Sequence, residues 1–165
     1  CHNLGLTFRQ LADWPHAEDA VSEAVRHAAL VGERSLLALV IAGRAELELE
    51  RGEYEMARQA LARSAELAHA AGDGIGAAEV GRLRALLALR VGDYPGAARE
   101  AEAARAEAER LGSALLQAEC AAAAARAWRA LGHAEEAEAR RAEAERLFRS
   151  LGAVRLLEDL AASWR

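Results

Sequence analysis

The stretch Ala85–Gly112, ALLALRVGDYPGAAREAEAARAEAERLG, decides the fold of this 165-residue chain. Two helix-forming runs flank the turn Val91-Gly92-Asp93-Tyr94-Pro95, and a second glycine closes the later run at Gly112. A glycine after a helical pattern supplies the left-handed residue that ends a helix. A proline just past the turn suits the first helical position, where a missing N–H costs nothing. Outward from here the pattern recurs. Gly32, Gly72, Gly112 and Gly152 stand forty residues apart, and Gly52, Gly92 and Gly132 form a second series of the same period. The glycines therefore predict turns about every twenty residues and two helices per repeat.

Further columns share the period: Ala17, Ala57, Ala97 and Ala137; Ala24, Ser64, Ala104 and Ala144; Gly5, Ala45, Ala85 and Ala125. Small residues at these places let the paired helices approach closely. Trp14, Tyr54 and Tyr94 follow the inner turn in three units, where an aromatic is expected to fill the wedge of the hairpin. The fourth unit has Ala134 there, and Trp128 is expected to fill that wedge from the other helix, so that Trp128→Ala costs more stability than Trp14→Ala. The spacing predicts helices over 1–11, 14–31, 34–51, 54–71, 75–91, 94–111, 114–131, 134–150 and 153–164. The pairs Glu136/Arg140, Arg105/Glu109 and Arg141/Glu145 have the i,i+4 spacing that supports an exposed helical face.

Composition agrees. Ala, Leu, Arg and Glu dominate, all strong helix formers, while Ile occurs twice, Thr once and aromatics make up 4%. A net charge of −5 is a poor footprint for nucleic acid. All 21 basic residues are arginine, so neither a Walker-type phosphate loop nor Schiff-base chemistry is available in this segment. No apolar run is long enough to cross a bilayer. Cys1 and Cys120 lack a paired-ligand spacing, which makes a reducing cytoplasm the expected setting. The five histidines form no metal-ligand pattern and no nucleophile–base set, so catalysis, metals and cofactors are not expected.

Leu4-Gly5, Phe8, Ala12-Asp13-Trp14, Ala17 and Ala24 in the first unit resemble the tetratricopeptide repeat family. So do Gly52-Glu53-Tyr54 with Ala57, and Gly92-Asp93-Tyr94 with Ala97 and Ala104. The family's usual unit is ~34 residues, so both helices are longer here. Arg44 and Arg84 replace an expected Leu, a variant that resembles the repeats of MalT-type bacterial regulators and signalling ATPases. The resemblance implies an all-α, right-handed solenoid of about four helix-turn-helix units over 1–33, 34–73, 74–113 and 114–152. A helix would follow at 153–165, with Leu156, Leu157, Leu160 and Trp164 as its apolar stripe, read as a cap, the alternative being the first helix of a further repeat. The chain begins in mid-repeat, as expected of a piece of a longer protein, and a cut first helix would favour homo-oligomers.

The resemblance also implies a concave groove lined by the first helix of each unit. Its expected lining is Leu6 and Arg9; then Leu39, Glu46, Leu49 and Glu50; then Glu79, Arg82, Leu86, Leu89 and Arg90; and last Glu119, Arg126 and Arg129. A protein or peptide is the expected occupant, and an acidic segment would suit the arginines, because guanidinium binds carboxylate bidentately. The charges would otherwise merely keep the surface soluble, and the leucines would belong to the core. The alternative function is a sensor arm of a regulator or signalling ATPase, in which an effector biases a conformational equilibrium.

Overall fold

The structure, a computed structural model, describes residues 14–164. Among them are eight α-helices and no strand: α1 (Trp14–Val31), α2 (Arg34–Arg51), α3 (Tyr54–Ala71), α4 (Gly74–Val91), α5 (Tyr94–Arg110), α6 (Ala114–Ala130), α7 (Ala134–Ser150) and α8 (Val154–Ala162). The expected helix over 1–11 lies outside the described residues, as do Leu6 and Arg9. No described helix is long and apolar enough to cross a membrane. Every helix limit falls within a few residues of the spacing-based expectation.

The glycines explain this accuracy. Gly32, Gly52, Gly72, Gly92, Gly112, Gly132 and Gly152 all have φ between 65° and 81°. At Gly52 the backbone N–H reaches the Leu49 carbonyl while the Glu53 N–H reaches that of Glu48, which satisfies carbonyls the helix end leaves open. Helix starts use acidic caps in places: Glu33 accepts from the N–H groups of Ser35 and Leu36, and Asp93 from that of Gly96.

Two compact units divide the chain, Cys1–Leu83 and Arg84–Arg165, with the boundary inside α4. In the first, α2 packs along α3 and α1 lies against α2. In the second, α6 packs with α5 and α7, and α7 with α8. The columns of small residues are the contact surfaces. Ala45, Ala57, Ala85, Ala97, Ala125 and Ala144 are fully buried, and Ala104 and Ala137 nearly so. In place of alanine, Ser64 donates its buried hydroxyl to the Ala38 carbonyl at 2.7 Å, across from α3 to α2. Alanine at a crossing removes bulk at no side-chain entropy, so backbones meet at short range.

The last helix packs through the expected apolar stripe. Leu160 is buried with Ala118, Ala121, Ala144, Leu147 and Phe148, and Leu156 and Leu157 pack against that group. Trp164 is covered by two guanidiniums, Arg129 at 4.6 Å and Arg141 at 5.3 Å from the ring centroid.

Three expectations need correction. Tyr94, expected to be covered in the hairpin wedge, stands 38% exposed. Trp128 reaches beyond its own hairpin: it touches the His133 ring but also packs on Ala97 and Ala98 of α5, and its indole N–H donates to Glu102 at 3.0 Å. Of the three i,i+4 ion pairs only Arg105–Glu109 forms. Glu136 faces His133, Arg140 turns to Glu102 and Glu143, Arg141 pairs with Glu138, and Glu145 pairs with Arg149. Only Arg140 reaches another helix, to Glu102 of α5; the other replacement partners lie in α7 or at its N-cap.

Candidate functional site

The twelve expected groove residues that lie among the described residues fall into two groups, one in each unit. In the first unit, α2 and α4 bring three of them together. The Arg82 guanidinium donates to Glu79 at 2.6 and 2.9 Å and to Glu46 at 3.2 Å. Arg82 is buried and the two carboxylates are largely covered. This triad fixes α4 to α2, because removing any member would leave an uncompensated charge in a dry place. Glu50 is exposed in the last turn of α2, and Leu39 is also exposed. Leu49 lies in the core rather than in a groove. Its neighbour Glu48, which the sequence did not single out, is buried as well.

In the second unit Leu86 and Leu89 are partly buried against Ala85, Ala101, Ala123 and Ala124, so they serve the helix packing. Glu119 is half-buried on α6. The arginines differ. Arg126 is half-buried, yet no carboxylate among the described residues pairs with it. Burial pushes its guanidinium pKa below the ordinary arginine value, and the charges of Arg90 and Arg129 lower it further. Arg90 is exposed at the last turn of α4 and also lacks a carboxylate partner among the described residues. Arg129 donates to the Ser163 carbonyl at 2.9 Å and stacks on Trp164, which ties α6 to the C-terminal cap.

A half-desolvated arginine in range of two further arginines forms a site whose electrostatics favour an anion. This contrasts with Arg105, Arg140 and Arg82, each locked to two or more glutamates. The sequence named Arg90, Arg126 and Arg129 without distinguishing them from Arg82, since their difference lies in the partner across the helix interface.

No protein-family model matches the chain, and no curated protein is significantly similar to it. Among the described residues, no group of three or more His, Cys, Asp or Glu side chains is placed to hold a metal ion.

Proposed function

We propose that this chain is a binding module for another polypeptide, engaging an acidic segment through Arg90, Arg126 and Arg129, and that it carries no catalysis of its own. The observation that carries the reading is Arg126. A half-buried guanidinium beside two like charges, with no carboxylate partner among the described residues, is stabilised by an incoming carboxylate. The resemblance of its turns and small-residue columns to tetratricopeptide repeats, whose helical hairpins hold peptides, supports the same reading, as does the cytoplasmic setting suggested by its cysteine usage.

The test is calorimetric titration of glutamate-rich, uncharged and arginine-rich decapeptides into the protein. Saturable binding of the glutamate-rich peptide alone, weakening as salt is raised, is the expected result. Equal behaviour of all three peptides would remove the proposal.

A further inference from the structure

A shift of eighty residues lays α1, α2 and α3 onto α5, α6 and α7, because the turn glycines keep an even spacing throughout. The two sets of helices share their small-residue columns but differ in what stands between their outer pair. In α5–α7 the gap is closed. Trp128 rises from α6 against Ala97, Ala98 and Ala101 of α5, with its N–H on Glu102. Around it Arg140 of α7 binds Glu102 at 2.7 Å, and Arg105 of α5 binds Glu143 of α7 at 3.2 Å.

In α1–α3 the equivalent positions read differently. Glu48 stands for Trp128, Ser22 for Glu102, Val25 for Arg105, Ala60 for Arg140 and Arg63 for Glu143. None of the cross-links can form, since Ser22 and Ala60 stand where one ion pair is, and Val25 and Arg63 where the other is. What remains is a cleft of ≈ 260 Å³ with Val25, Ile41, Met56 and Ala60 on its walls and Glu48 and Arg63 beside them. It adjoins a narrower pocket, bounded by Ser22 and Val21, that corresponds to the place of the Trp128 indole, and Glu48 borders both.

Glu48 is a built feature of this cleft. It is 5% exposed, its Oε1 accepts from Arg44 Nε at 2.8 Å, and its Oε2 has no hydrogen-bond partner among the described residues. A buried carboxylate oxygen without a donor is costly, and a donor supplied from outside relieves that cost. An engineered cavity of ~150 Å³ in another protein admits benzene, so the volume here suffices for a fused ring pair.

We propose that the α1–α3 cleft binds a small planar aromatic molecule bearing an N–H donor, of the indole class, whose ring lies between Val25, Ile41, Met56 and Ala60 and whose N–H bonds Glu48 Oε2. It would occupy the space that Arg105, Arg140 and Glu143 take in α5–α7. Oε2 is shielded from water, so the donor reaches it by displacing a lining side chain. Met56, flexible and half exposed, is the side chain suited to move. Burial raises the Glu48 pKa, with the Arg44 hydrogen bond opposing and Glu53 and Glu18 adding to the rise. Those three charged groups, with Arg51 and Arg63 on the cleft walls, are the ones that face this carboxyl.

The test compares indole with benzothiophene, an isostere without the N–H, by NMR titration of the intact chain. Indole is expected to give saturable shifts confined to the Val25, Ile41 and Met56 methyl signals, with benzothiophene weaker by roughly tenfold or more. Glu48→Trp removes the acceptor and puts a bulky ring at the border of the cleft, and should abolish indole binding at unchanged helicity. Glu48→Leu leaves the cleft open but should erase indole's advantage over benzothiophene, which keeps the test decisive if the tryptophan variant fails to fold. Equal affinity for the two probes in the native chain, or no saturation by indole up to its solubility limit, would overturn the proposal.

Discussion

Trp128 Nε1 donates to Glu102 at 3.0 Å, and Arg140 and Arg105 converge on the same carboxylate at 2.7 and 3.1 Å. One glutamate thereby joins α5, α6 and α7. Trp128→Ala should cost about 3–5 kcal/mol, since it opens a cavity and breaks this junction. Trp128→Phe should cost less, retaining the ring and losing only the donor. Chemical denaturation of the three proteins measures the order, and a phenylalanine variant as unstable as the alanine one would mean that packing matters little here.

Glu102 and Glu48 should respond to acid in opposite directions. Burial disfavours the Glu102 carboxylate, but hydrogen bonds from Arg140, Trp128 and Arg105 outweigh it and hold its pKa below the ordinary range. Its contribution is present above the ordinary glutamate pKa and is lost as pH falls through the lower folded value. Glu48 is raised, chiefly by burial, so its ionised form weakens the fold at neutral pH and protonation relieves that penalty as pH falls toward the ordinary value. Glu102→Gln should therefore lower the melting temperature at pH 7. Glu48→Gln should raise it there, with both differences shrinking near pH 4. Melting curves across that range check the signs, and a Glu48→Gln protein less stable at pH 7 would refute the assignment.

Arg82→Ala should destabilise by about 3 kcal/mol, because Glu46 and Glu79 are left facing each other in a largely covered place. Arg99→Ala, on an exposed face of α5, should stay within about 0.5 kcal/mol. Urea midpoints of the two variants give the comparison.

Gly92→Ala should cost about 1–2 kcal/mol for purely conformational reasons. The residue has φ 80° and an added Cβ would meet nothing within 4 Å, so only the left-handed backbone resists it. A neutral substitution would show that the turn accommodates another geometry.

These relationships also mark where the sequence was legible. The glycine series located the ends of seven of the eight described helices, α8 excepted, because a left-handed terminus is a local requirement that few residues meet. The small-residue columns located the contacts, because the period is fixed by the fold. The sites were less visible. Arg82 and Arg126 are alike as arginines on first helices, and only the carboxylates beneath Arg82 make it structural. Glu48 lay hidden among Glu46, Leu47, Leu49 and Glu50, in a run where an acidic residue usually faces solvent. Aligning it with Trp128 at twice the repeat would have raised it as the odd member of its column. Two ion pairs were misplaced because charges on α7 have competing partners three and four residues away, and Arg140 has another on α5, and spacing alone does not choose among them.

The most direct measurement is the affinity of a glutamate-rich peptide for the native chain, for Arg90→Glu/Arg126→Glu, and for Arg99→Glu/Arg146→Glu. The last pair makes the same change in net charge on exposed arginines outside the cluster. Loss of binding by more than about tenfold in the first variant alone, at unchanged helicity, is the predicted result. Equal losses in both variants, or none in either, would contradict a specific site at Arg126.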